Sequence, residues 1–311
     1  MLTQRDALWL SDGLGMIDLQ FRGENNLIAA YVIETSDGLV VIETGPANAA
    51  DRLLEGIQEL GLDPADLRHI AVTHIHLDHA GAAGALLRQF PDTRLYVHRI
   101  GAPHMIDPSR LLQSAGRIYG DQMDALWGVM QPVPAERVTT IDDGDTLQFG
   151  DLKLDVLYTP GHASHHVSYV DGQRGVVFSG DVAGVRIPPS KLAWPPTPPP
   201  DIDIEVWHQS IAKLRHVNPA RLLLTHFGPV DDVAEHLDQL DRRLDRWTDL
   251  VSDLQKEDLE RQELVDRLSE DARDEMQAAG ESTDVEGSVS NVTPFGMAID
   301  GMTRYLKKNP R

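Results

Sequence analysis

The stretch Thr73-His74-Ile75-His76-Leu77-Asp78-His79 gathers three imidazoles and a carboxylate in one short run. Neutral imidazole nitrogens and carboxylate oxygens are good ligands for a borderline divalent ion such as zinc. On an extended segment, side chains two residues apart can aim at one ion, which pairs His74 with His76. Asp78 and His79 can then turn toward a second. Ile70-Ala71-Val72 reads as the end of a buried strand, and Ala80 to Leu87 as a helix that starts at once. The cluster therefore lies on a strand-to-helix loop, where α/β proteins place their chemistry. A His-rich surface run is the bland alternative. It leaves both the flanking elements and the matching residues downstream unexplained.

Those matching residues stand at three later strand exits. Leu157-Tyr158-Thr159-Pro160-Gly161-His162, Val177-Phe178-Ser179-Gly180-Asp181 and Leu222-Leu223-Leu224-Thr225-His226 each run from an apolar strand into a single His or Asp. A lone His at a strand end is more often structural than a ligand. Three such exits beside a His/Asp loop point the other way, because strand exits on one sheet edge converge and one metal cluster can collect them.

His74-x-His76-x-Asp78-His79, then His162, Asp181 and His226 in that order, resemble the metallo-β-lactamase superfamily. Thr159-Pro160-Gly161-His162 and Ser179-Gly180-Asp181 also match its local contexts. The resemblance covers roughly residues 20 to 230. It implies an α/β (α+β) fold, the four-layer αβ/βα sandwich with metals at one edge of its two sheets. It also implies that His74, His76 and His162 bind one ion, that Asp78, His79 and His226 bind the other, and that Asp181 bridges them. Glu43 stands where the family usually has Asp in an Asp-Thr-Gly turn. With Thr159 and His166, it is a candidate for orienting ligand side chains by hydrogen bonds.

The ligand count sets the expected chemistry. Two ions about 3.5–4 Å apart can share a hydroxide, because each lowers the pKa of bound water. That hydroxide attacks a carbonyl or phosphoryl centre, and Asp78 is the catalytic candidate that accepts or relays a proton. The expected cofactors are two divalent ions, zinc first, with manganese or iron as alternatives. The expected activity is hydrolysis of a small ester, thioester or lactone. The runners-up are a phosphodiesterase and an oxidoreductase, a persulfide dioxygenase with one iron. A third class is a binding or scaffold protein with a structural metal and a working surface on its helical tail. Val182-Ala183-Gly184 after Asp181 lack the Tyr of the acyl-homoserine lactonases, which weakens that branch.

Several elements must position these groups. Leu27 to Ile33 and Leu39 to Ile42 are strand-like runs joined by Ser36-Asp37-Gly38. Leu53, Leu54, Ile57 and Leu60 mark a helix that Gly61 ends. Arg94 to His98 reads as a strand, residues 101–134 as a helical insertion or lid, and 136–180 as strand-rich. Ile187 to Pro200 is a proline-rich loop, Asp203 opens a helix, and Arg221 to Thr225 is a final strand. Val233, Leu237, Leu240, Leu244, Trp247, Val251 and Leu254 alternate steps of four and three, a coiled-coil-like seam. Most such seams dock within the chain; a homodimer through the C-terminal helix is the alternative. Residues 280–293 are Gly/Ser/Thr-rich and read as loose, and Pro294 to Lys308 as a last helix. The expected division is a catalytic domain at 1–230 and a helical extension at 231–311. Tyr119, Trp127, Arg186 and Trp194 are the candidate pocket residues, with core packing or a surface salt bridge as the plainer reading.

Composition narrows the classes. The 311 residues include no cysteine, which excludes thiolate ligands, disulfides and a cysteine nucleophile. A formal net charge of -21 repels polyanions, so no nucleic-acid partner is expected. The first residues lack the charge and apolar run of a signal peptide, and no stretch has the length of a membrane span. The expectation is a cytoplasmic protein with no membrane partner and a small-molecule substrate.

Overall fold

The structure is a computed structural model that describes residues 6–257, 259–281 and 286–309. The chain divides into two compact units, Met1–Tyr158 with His165–Phe178, and Thr159–Ser164 with Ser179–Arg311.

In the first unit, β1 (Ala7–Ser11), β2 (Leu14–Asp18), β3 (Ala29–Thr35) and β4 (Gly38–Ile42) form an antiparallel run. Three parallel pairings extend it through β5, β6 and β7. Parallel neighbours need crossovers. The chain supplies α1 (Ala50–Glu59) before β5 (Leu67–Ala71), then α2 (Leu77–Ala80) and α3 (Ala83–Gln89) before β6 (Arg94–His98). The last crossover is the predicted insertion, built of α4 (Ala102–Ile106), α5 (Ser109–Tyr119) and α6 (Met123–Trp127), and it leads into β7 (Val138–Ile141). Ala29 to Ile33 and Leu39 to Ile42 are buried without a break, as strands covered on both faces must be. On α1, Leu53 and Ile57 turn inward, as their spacing predicts.

A second sheet in this unit runs antiparallel through β8 (Thr146–Phe149), β9 (Leu152–Tyr158), β10 (Val167–Asp171) and β11 (Val176–Phe178). The two sheets meet through aromatic contacts. Tyr31 of β3 packs edge-on against Phe178 at 5.4 Å. Phe149 lies against His69 and Tyr96. The Tyr169 hydroxyl donates to the Val72 carbonyl at 2.8 Å, which ties the strand leading to His74 to the opposing sheet.

The second unit is mainly helical. Asp203 caps α7 (Ile204–Val217) by accepting from the Val206 N–H, and Ile204, Trp207, Ile211 and Leu214 are buried. β12 (Arg221–Leu224) pairs with β13 (Gly228–Val230). Among the described residues four helices follow: α8 (Val233–Leu254), α9 (Arg261–Ala278), α10 (Glu286–Val292) and α11 (Phe295–Lys308). The α8 seam from Leu237 to Leu254 is buried within this unit. Ion pairs of Arg215 and His208 with Asp241 join α7 to α8.

Three features depart from the sequence reading. Arg221 to Thr225 is followed by another strand, β13, which Pro229 disguises; proline is tolerated in an edge strand. The Gly/Ser/Thr-rich segment contains α10, whose Val289 is buried, so packing overrides weak helix propensity there. Residues 282–285 lie outside the described residues. The helix after the His cluster begins inside it, at Leu77, and so carries Asp78 and His79. Among the described residues, no helix is long and apolar enough to cross a membrane.

Candidate metal centre

The first unit brings together four of the predicted ligands. His74 and His79 are buried, whereas His76 and Asp78 are partly exposed. His74 Nε2 lies 3.0 Å from His76 Nδ1, and the His74 and His79 rings are 3.9 Å apart between centroids. His79 Nε2 lies 3.7 Å from an Asp78 carboxylate oxygen. Donor atoms converging this closely are what an ion with nitrogen and oxygen ligands requires.

Glu43 sits beneath this cluster, buried, with a φ of 66°. L-residues other than glycine avoid that region unless the surroundings enforce it. Here the enforcement is visible. The Glu43 carboxylate accepts from the Thr73 hydroxyl, from the Thr73 N–H at 3.3 Å, and from His79 Nδ1 at 3.2 Å. The bond to Nδ1 fixes the His79 ring and leaves Nε2 facing Asp78. Thr44 then holds the His79 backbone: its N–H and hydroxyl both donate to the His79 carbonyl, at 2.7 and 3.0 Å. The Glu43-Thr44-Gly45 turn therefore orients both the side chain and the main chain of His79.

His165 and His166 flank the same site. Their rings lie 6.1 and 5.0 Å from that of His74, and His165 is also 5.7 Å from His76. Nothing in the sequence singles out His165 as a ligand; its placement beside His74 and His76 is a structural finding. Tyr119 and Trp127 pack edge-to-face at 5.1 Å, and Trp127 stacks on Phe21. Asn48 ties down α6 by donating to the carbonyls of Ala125 and Leu126. Burial, with the Asp78 charge as a second cause, pushes the Tyr119 phenol well up, so it stays protonated.

The second unit assembles the other three predicted ligands. The two Asp181 carboxylate oxygens face different imidazoles: Oδ2 lies 3.4 Å from His162 Nε2, and Oδ1 lies 3.5 Å from His226 Nε2. All three residues are buried. His162 Nδ1 lies 2.8 Å from the Pro196 carbonyl. A carbonyl only accepts, so this bond places a proton on Nδ1 and directs Nε2 toward Asp181. The Trp207 ring packs edge-on against His162, and its indole N–H donates to the Val182 carbonyl at 2.7 Å. Gly161, with φ at 137°, lets the chain pass over Trp207; a Cβ there would meet the Trp207 backbone at 2.4 Å. Thr159 is buried in the same segment.

The remaining pocket candidates have structural partners. Arg186 makes two contacts with Asp232, at 2.5 and 3.3 Å, which hold the Asp232 carboxyl below its usual range. Trp194 is fully buried between Arg243 and Trp247. Thr44, Thr73 and Pro196 had escaped sequence reasoning. The first two are ordinary residue types, and Pro196 acts through a backbone carbonyl that no residue code reveals.

Comparison with known proteins agrees with this picture. The family described as the metallo-beta-lactamase superfamily matches residues 25–226. A metallo-beta-lactamase fold-containing protein of Sulfurisphaera tokodaii is 27% identical over 179 residues, 56% of this chain and 66% of that protein. A hydroxyacylglutathione hydrolase of Aeromonas hydrophila is 30% identical over 151 residues, 49% of this chain and 44% of that enzyme. The chain thus spans about two thirds of the first relative's length and less than half of the second's. A metallo-beta-lactamase family protein of Thermus thermophilus has a TM-score of 0.72 at 19% identity, covering 97% of this chain and 95% of that one. At that identity the likeness speaks for the fold alone: the αβ/βα sandwich with a helical C-terminal extension. With the family match reaching from before Glu43 to His226, the chain belongs to the metallo-beta-lactamase superfamily.

Proposed function

We propose that the protein is a dinuclear metal-dependent hydrolase of a small ester, thioester or lactone. One observation carries this reading. Each unit presents part of a ligand set, in which the His79 and His162 rings are held by Glu43 and Pro196 and one carboxylate, Asp181, faces two imidazoles. In this reading His74, His76 and His162 hold one ion, Asp78, His79 and His226 hold the other, and Asp181 bridges. The donors fit: all are nitrogen or carboxylate oxygen, and the ring nitrogens opposite the proposed ligand atoms in His79 and His162 are bonded to Glu43 and Pro196. Such ions, when bound, lower the pKa of water and polarise a carbonyl oxygen.

The chain's own residues do the rest. Asp78, partly exposed at the end of the cluster, takes and returns the proton that hydrolysis moves. Glu43 keeps His79 in one ring state, and Pro196 does so for His162. Tyr119 and Trp127 wall the substrate side near Asp78. The hydrolases among the relatives support hydrolysis over redox chemistry, and zinc is the first choice of metal. Replacing His76 or Asp181 by Ala should abolish cleavage of a panel of thioesters, lactones and esters while the circular dichroism spectrum stays native. Retained turnover in either variant would overturn the assignment.

A further inference from the structure

The helical extension reaches the metal centre through the proline-rich segment before α7. His162 donates from Nδ1 to the carbonyl of Pro196. Pro196 belongs to a stretch with no regular structure apart from one bridge, Val185 to Trp194. A stretch rich in proline has few N–H groups with which to fix itself. Beyond that bridge and a turn at Ser190, further anchors come from the extension. Arg243 of α8 donates to the Ala193 carbonyl, stacks 4.2 Å above the Trp194 ring and pairs with Glu275 of α9. Gln239 of α8 accepts from the Ala193 N–H at 3.3 Å. Glu281, after α9, accepts from the Ser190 hydroxyl and, at 2.7 Å, from the Lys191 N–H. Thr293, before α11, donates to the Pro195 carbonyl at 3.4 Å. On α11, Gly301 lets the segment lie directly on the helix: a Cβ there would meet the Thr197 carbonyl oxygen at 2.1 Å. Contacts from α8, from Glu281 beyond α9 and from α11 thus fall on both sides of Pro196.

We propose that the extension is a positioning element of the metal centre: by clamping residues 190–200 it sets the Pro196 carbonyl, and thereby the ring state and direction of His162. This rests on reading His162 as a metal ligand. It differs from a free-standing tail, whose loss would leave the centre untouched. Arg243 and Gly301 are positioning residues in this account, acting through Ala193 and Thr197.

The test uses the full chain and two independent variants. Gly301→Ala pushes on the Thr197 carbonyl while favouring helix in α11. Arg243→Met removes the donor to Ala193 but keeps an apolar body over Trp194. Arg243→Lys is the conservative rescue. Gly287→Ala, where a Cβ meets open space, is the control within the same extension. Two readouts are taken: Zn2+ affinity by competition with a chromophoric chelator, and nitrogen NMR of the imidazole rings in metal-free protein. The expectation is about tenfold weaker binding of one zinc equivalent in Gly301→Ala and Arg243→Met. Both should also lose the Nδ1-protonated state of His162. Arg243→Lys should recover part of each effect, and Gly287→Ala should match wild type. Wild-type ring signals in both Gly301→Ala and Arg243→Met would overturn the proposal. If the wild-type chain took up no Zn2+, the metal reading would fall, and the ring signals would still decide on the clamp.

Discussion

Glu43 shows how much one residue can carry. Its left-handed backbone costs roughly 1–2 kcal/mol, and its carboxylate offsets that through three hydrogen bonds from Thr73 and His79. Glu43→Gln keeps the size but loses the charge that His79 Nδ1–H faces. A ten- to hundredfold loss of affinity for one metal equivalent is expected, measurable by competition titration. A second residue-scale prediction concerns His236, which is fully buried and bonded to the Ala183 carbonyl. Burial holds its pKa at about 4, below the ordinary 6.5. The unfolded chain therefore binds a proton here at higher pH than the folded one. The stability this group confers is complete above pH 6.5 and is lost as pH falls through about 4, about 3 kcal/mol over the window. Urea unfolding of His236→Gln should show that much less pH dependence than wild type between pH 7 and 4. At this scale the sequence was informative about which side chains to propose as ligands, because His and Asp at strand exits are conspicuous. The role of Glu43 was legible from its turn, whereas the Thr44 anchor, the Pro196 acceptor and the nearness of His165 arise only from tertiary folding.

At the scale of elements, helix termini and seams decide how firmly the proposed ligands are held. Trp207 and Ser210 of α7 support the Pro160-Gly161-His162 turn, the latter by donating to the Pro160 carbonyl at 2.6 Å. Asp203→Ala removes the α7 cap and should lower stability by about 1 kcal/mol. On α8, Leu244→Ala should cost about 2–5 kcal/mol, since Leu244 is completely buried in the seam. Chemical denaturation of both variants checks the order of the two effects. The predicted α1 and α7 faces emerged because a 3.6-residue period survives inspection of one sequence. β13 and α10 did not, for opposite reasons. A proline hid the strand, and a weakly helical composition hid a helix that packing around Val289 stabilises.

For the whole molecule, the two compact units each hold one half of the proposed ligand set, and the chain enters the second unit just before His162 and again just before Asp181. The family match spans both halves. A net charge of -21 repels polyanions, which fits the small-molecule substrates of the proposal. The central claim is that the halves make one dinuclear centre, and elemental analysis of protein purified without added metal tests it most directly. The account predicts two equivalents of zinc or manganese per chain, falling to one or none in Asp181→Ala. A single iron per chain, or no metal bound even after titration, would contradict it.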